Sequence, residues 1–308
     1  MKGGCTLVMT KEQCNYYTGT CGEADGEQRE HLINDHRVEI YVFTDPLCPL
    51  CWGIEPKLKK LLNEYNQYIK VRYVVMPENA SARIHEQNQR TLSDLWDITS
   101  TQTGMCCDGD FWYENPISVP ETPSIAIKAA EMQGRQCGLR FLRRVREALF
   151  LNKQDVTDDH VLLKCAQEAG LDEIEFQKDF HSDLAKQALE SDLRTKNEMG
   201  VSEVPSMIFF NDCIEDAGVM ISGLHSYDVY EDILTEVLGK TPVPEMKHDL
   251  LSFVRHYSLV ATAEIAEVFD LTTKETKSAM KRLQLQQKVE CVPVKHGEFW
   301  KYNCRTEE

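Results

Sequence analysis

Apolar positions recur with two different periods along this chain. Val38-Glu39-Ile40-Tyr41-Val42-Phe43 is rich in β-branched and aromatic residues and predicts a strand. The spacing then lengthens: Ile54, Leu58, Leu61, Leu62 and Tyr65 share one face of a helix. Pro56 removes a backbone donor and predicts a kink in the first turns of that helix. Residues 69–76 return to a strand pattern, so 38–76 predict a β-α-β unit, parallel and with a right-handed crossover.

Residues 82–200 carry helical spacing almost throughout. Helices are predicted over 83–100, 124–133, 139–151, 158–169, 174–180 and 184–199, with Gly170 and Gly200 as stops. Arg140, Arg143, Arg144 and Arg146 fall on the polar side of the 139–151 helix. They predict a solvated face, with a docking surface for an acidic partner as the sharper reading. Strands over 206–210 and 219–222 and a helix over 227–238 follow. Thr241-Pro242-Val243-Pro244 marks a joint. Beyond it, Leu250, Leu251, Val254 and Tyr257 mark one helix, 262–269 and 272–287 two more, and 289–302 a hairpin. Three helices and a hairpin is a winged-helix pattern, whose second and third helices fit a helix-turn-helix.

The chemistry gathers at Cys48-Pro49-Leu50-Cys51, between the first strand and the first helix. A C-x-x-C at that junction is the thioredoxin redox signature, because free N–H groups and the dipole at a helix start favour a thiolate. Val204-Pro205, directly before an apolar strand, matches the cis-proline site of that fold, a turn that faces the C-x-x-C. The predicted fold class is therefore α/β: a thioredoxin-like (DsbA-like) domain over 37–240 with a helical insertion at about 82–200. A Cys/His-containing leader at 1–36 precedes it, and a small winged-helix-like domain at 245–304 follows. In this frame Cys48 is the attacking thiolate and Cys51 resolves the mixed disulfide. DsbA-like oxidases usually carry histidine where Leu50 stands, and no Lys or Arg follows before Lys57. A modest lowering of the Cys48 pKa and a reducing-type potential are expected. The same scaffold also serves as a platform that holds a polypeptide beside the cis-proline without changing it.

Composition narrows the classes. The net charge of −16 over 308 residues argues against bulk attraction to nucleic acid or an anionic membrane. Residues 248–308 hold nine Lys/Arg against nine Asp/Glu, which leaves no net basic footprint for DNA. No apolar run spans a membrane and residues 1–26 lack a signal core, so a cytoplasmic protein with mostly reduced thiols is expected. Met9 is a second candidate start, and initiation there would remove Cys5. In the leader, Cys14, Cys21, His31 and His36 are soft thiolates and imidazoles suited to Zn²⁺, or else scattered residues of a poorly structured segment. Vicinal Cys106 and Cys107 are packing residues or a soft-metal or oxidation site, with packing the simpler reading. Cys137, Cys165 and Cys213 read as packing residues.

Five blocks in one order carry a more specific resemblance. They are residues 43–56, Gly104-Met105-Cys106-Cys107-Asp108-Gly109, residues 128–135, Ser226-Tyr227-Asp228-Val229-Tyr230-Glu231, and His296-Gly297-Glu298-Phe299-Trp300-Lys301. Together they resemble the SpxH (YjbH) proteins of bacilli and relatives, from about Val38 to Tyr302. The resemblance implies a cytoplasmic adaptor that binds the transcription regulator Spx and promotes its degradation by the ClpXP protease. It implies no required cofactor, and a zinc-associated N-terminal region that here would use Cys14, Cys21, His31 and His36. The alternative is a cytoplasmic thiol-disulfide oxidoreductase using Cys48 and Cys51.

Overall fold

The computed structural model describes residues 37–77, 89–114, 117, 119–211 and 217–304. The leader, with Cys14, Cys21, His31 and His36, and also Cys213, lie outside the described residues. The central sheet has the order β2-β1-β3-β4. Its strands are β1 (Val38–Thr44), β2 (Ile69–Val75), β3 (Ser206–Phe210) and β4 (Val219–Ser222). As predicted, β1 and β2 are parallel; β3 runs antiparallel to both β1 and β4. The Val204–Pro205 peptide is cis.

Between β1 and β2 the chain forms α1 (Pro49–Gly53) and α2 (Glu55–Tyr65), broken at Ile54. Pro56 sits in the first turn of α2, where its missing N–H has no helical acceptor to lose. The insertion supplies α3 (Gln89–Thr103), α4 (Phe111–Glu114), α5 (Thr122–Met132), α6 (Arg135–Phe150), α7 (Asp159–Glu168), α8 (Glu173–Phe180) and α9 (Asp183–Glu198). Asp158, Asp172 and Ser182 cap α7, α8 and α9 through their side chains. The helix α10 (Tyr227–Leu238) returns to the sheet, where Tyr230 and Leu234 join Leu58, Leu61 and Tyr65 in one core.

The C-terminal part contains α11 (Leu250–Tyr257), α12 (Thr262–Val268) and α13 (Thr273–Leu285). Its sheet, ordered β5-β7-β6, adds a short strand β5 (Leu259–Ala261) to the expected hairpin of β6 (Val289–Val294) and β7 (Gly297–Tyr302). Phe253, Val260, Ile265, Met280 and Trp300 form its own core. It is also docked: α12 packs along α2, and Ala261 and Phe299 enter the core of the insertion.

The helix α2 is therefore covered on nearly all sides. Glu55, Lys59, Lys60 and Glu64 are buried together with its leucines. The joint at 241–248 adds to this cover. Glu245 N–H donates to Glu64 O at 2.8 Å and Lys247 N–H to Asn63 O at 2.9 Å, so the linker satisfies carbonyls that the end of α2 leaves unpaired.

Candidate functional site

Strand β1 delivers the chain to the C-x-x-C, and a short turn fixes it. Leu47 N–H donates to Asp45 Oδ1 at 2.8 Å, and Cys48 N–H to Asp45 O at 3.3 Å. Cys48 is the N-cap of α1, with extended backbone at φ −82° and ψ 117°. Its Sγ accepts from Cys51 N–H at 3.4 Å and lies 3.9 Å from Val204 O, against the cis-proline turn. Cys48, Cys51 and Pro205 are thus brought together as the sequence predicts. Both cysteines are free thiols; Cys48 is half-buried and Cys51 is buried.

The electrostatics reverse the expected lowering of the Cys48 pKa. The adjacent Cys51 thiol, burial and the Asp45 carboxylate push the Cys48 thiol well above its ordinary range. The Cys51 backbone N–H is the one influence on Cys48 that favours the thiolate. A five-residue helix has little dipole to offer, and the apolar neighbours Phe43, Val74, Met76 and Val204 offer no cation. The geometry permits disulfide exchange, but the thiol is poorly activated for it.

The residue after the motif does more structural work than the cysteines. Trp52 is fully buried and stacks on Phe150 of α6 at 5.8 Å and on Phe299 of β7 at 6.4 Å. Its Nε1–H donates to Cys106 O at 3.1 Å, and the Arg143 guanidinium lies 4.3 Å from its ring centroid. One indole thus joins the redox motif, the insertion and the C-terminal part. Cys106 and Cys107 form part of its bed. Both are buried, and burial pushes both thiols up, as suits packing residues.

The arginine run of α6 corrects the sequence reading. At Arg143, Arg144 and Arg146 it is neither a solvated face nor a free docking surface, because their acidic partners belong to this chain, whereas Arg140 is exposed. Arg143 donates to Glu264 Oε1 at 2.8 Å, to Glu264 Oε2 at 3.1 Å and to Glu147 Oε1 at 2.7 Å. Arg144 pairs with Glu147. Arg146 donates to Glu55 Oε1 at 2.7 Å and also reaches Thr44 and the Asp45 carbonyl, which steadies the turn before Cys48. Arg140 Nε donates to Ala169 O at 2.9 Å. Glu264 is fully buried and pairs with Lys59 as well. Although burial opposes ionisation, the charges of Arg143 and Lys59 hold its carboxyl down at about 2. Lys60 adds a pair with Asp270 and lies 4.5 Å from the Tyr227 ring centroid.

Sequence reasoning missed Trp52, Lys59 and Glu264. Glu264 had one legible signal, its place at the third position of a helix that opens after Ala261. There its Oε2 accepts the Ala261 N–H at 2.6 Å, as an N-terminal carboxylate can. Among the described residues no cluster of three or more His, Cys, Asp or Glu could hold a metal, and no helix is long and apolar enough to cross a membrane.

Comparison with known proteins places this architecture. The thioredoxin family model matches residues 41–232. The ClpXP adapter protein SpxH of Halalkalibacterium halodurans is 44% identical over 295 residues, which cover 94% of this chain and 96% of that protein. That of Bacillus subtilis is 42% identical over 266 residues, 86% of this chain and 89% of the relative. The chain belongs to the SpxH family. Solved structures resemble this SpxH-family chain at the level of fold alone. A probable DsbA oxidoreductase from Streptomyces coelicolor has a TM-score of 0.53 at 18% identity, covering 70% of this chain and 95% of that one. A putative protein disulfide isomerase from Nitrosomonas europaea has a TM-score of 0.51 at 20% identity, covering 66% and 96%. The expected DsbA-like fold class is thereby established.

Proposed function

We propose that this SpxH-family chain is an adaptor: it binds the transcription regulator Spx in the cytoplasm and promotes its degradation by ClpXP, without turning over a substrate of its own. The observation that carries this reading is the 44% identity to an SpxH adapter over 94% of the chain, which runs past the end of the thioredoxin match at residue 232. The site geometry agrees with it. The groove beside Pro205 has the form of a thioredoxin substrate site, but its nearest thiol is held protonated, so the groove is better suited to holding a polypeptide than to exchanging disulfides with it. Holding the regulator in a delivery-competent state is a population shift and needs no redox step. A reconstituted assay with Spx, ClpXP and ATP tests the reading: this chain accelerates Spx loss, and no acceleration rejects it.

One observation favours a second reading. The 3.9 Å approach of Cys48 Sγ to Val204 O is the arrangement a thiol-disulfide oxidoreductase uses. Insulin reduction by the wild type, lost in Cys48→Ala and Cys51→Ala, would establish it. Zn²⁺ binding by Cys14, Cys21, His31 and His36 is a separate proposal. Metal analysis of the full chain and of a chain lacking residues 1–36 decides it, and no metal above background in the full chain rejects it.

A further inference from the structure

A cavity of about 350 Å³ opens where α2, β2, α6 and the end of α11 meet. It is too small for a folded partner, but it suits a few side chains of an extended segment. Its floor is apolar, made by Leu58, Leu62, Ile69, Val71, Leu139 and Leu142. The cations around it are spent within the chain: Lys59, Lys70, Arg143, Arg144 and Arg146 all pair with carboxylates of this protein. What stays uncovered is hydrocarbon. Leu62, Val71 and Leu139 come from three different elements, and each is only half-buried. Aliphatic side chains gathered in a concave site mark a place where another apolar group lies.

The chain itself brings such a group to the rim. Arg37 lines the cavity, and at Arg37 the leader joins β1. The entry point is fixed: Val38 N–H donates to Tyr68 O at 2.9 Å, and Val38 pairs with Ile69 of the floor. Immediately upstream runs His31-Leu32-Ile33-Asn34-Asp35-His36. Leu32 and Ile33 are the only Leu, Ile, Val, Met or Phe between Met9 and Arg37. Five residues of extended chain span at most about 18 Å, so both side chains can reach the floor from Arg37. A tether this short gives an effective concentration of order millimolar, so even a weak contact with the floor would be occupied.

We propose that Leu32 and Ile33 of the leader dock in this cavity and cover its apolar floor. Because Tyr257 and Ser258 complete the lining, the docked pair touches the thioredoxin body, the insertion and the C-terminal part at once. The leader thereby acts as a strap over the seam, and its docking stabilises the arrangement of the three parts. His31 and His36, on either side of the pair, are held at the edge of the same seam. The inference is independent of the adaptor reading and stands or falls without it.

The test uses the full chain with methyl-labelled Ile, Leu and Val. In the wild type, the Ile33 methyls give nuclear Overhauser contacts to the methyls of Leu62, Val71 and Leu139. The double variant Leu32→Ser/Ile33→Ser shifts those three cavity residues, while Val254 and Val268, inside the C-terminal core, keep their positions. Tryptic cleavage after Arg29 becomes about tenfold faster in the double variant, because cleavage follows the population of the released segment. The wild-type contacts stand alone should the variant not fold. Three results would overturn the proposal: no contact from Ile33 to the cavity methyls, cavity methyls unmoved in a folded double variant, or an unchanged rate of cleavage after Arg29. Cavity shifts that follow protein concentration, without any contact from Ile33, would also overturn it and would assign the floor to a second copy of the chain.

Discussion

The two faces of the segment from Cys48 to Tyr65 use charge in opposite ways. At its start, Cys48 sits in an apolar pocket with Cys51 and a carboxylate as its main influences, and its proton is held tightly. A few residues on, Lys59 meets Glu264 and Arg143 in a buried cluster that locks the C-terminal part to the body. The cations that would activate a catalytic thiol are instead at the seam. The buried charges hold the parts of the molecule in register, and Trp52, next to the cysteine pair, sits where those parts meet.

The comparison is broken most directly at Glu264. Its replacement by alanine leaves Lys59 and Arg143 buried without their shared partner, which costs about 3–5 kcal/mol. Urea denaturation should show the loss, and limited proteolysis should show cleavage near residues 241–248. A loss below about 1 kcal/mol would mean that the pair adds no more than a surface ion pair does.

Acid attacks the same seam. The folded pKa of Glu264, about 2, lies below its ordinary 4.5, so its contribution is complete above pH 4.5 and is lost as pH falls toward 2. The shift corresponds to about 3 kcal/mol. His256 acts in the same direction at higher pH. Its folded value of about 4 lies below 6.5, so the unfolded chain takes up the proton first and stability falls as pH drops from 6.5 toward 4. Denaturation midpoints measured from pH 7 to pH 3 should decline in two stages, and Glu264→Gln should remove the lower one.

A pair of glycines separates seam packing from backbone strain. Gly104 and Gly239 both have positive φ, at 69° and 65°. A Cβ at Gly104 would come 2.8 Å from the Cβ of Ala263 in α12, whereas one at Gly239 would meet nothing within 4 Å. Both alanine variants lose about 1 kcal/mol to strain. Gly104→Ala should lose measurably more, and equal melting temperatures would show that the contact with α12 yields freely. The smallest effect is expected at Cys48. Its alkylation by iodoacetamide at neutral pH should be slower than that of free cysteine, because so little thiolate is present. Faster alkylation would restore the case for catalysis.

What the sequence disclosed was local. The strand period of residues 38–43, the C-x-x-C at a helix start, the break set by Pro56 and the place of Val204-Pro205 are all features of consecutive residues, and the structure has each of them. Amphipathic spacing showed that Leu58 and Leu61 share a face, but it says nothing about what lies opposite. Arg143 and Arg146 therefore read as solvent-facing, when acidic side chains from other parts of the same chain cover them. Charge balance failed in the same way. The even count in the last sixty residues hid the fact that one of those carboxylates, Glu264, is buried between two cations.

The short stretch after Thr241, whose amides close the end of α2, has a practical consequence. Severing the chain at residue 240 would not release two self-sufficient modules. It would leave a helix terminus without its cover, strip Phe299 from the indole and strand two positive charges in the gap. Either fragment alone would report on that injury, and only the intact polypeptide can show what each part was shaped to do.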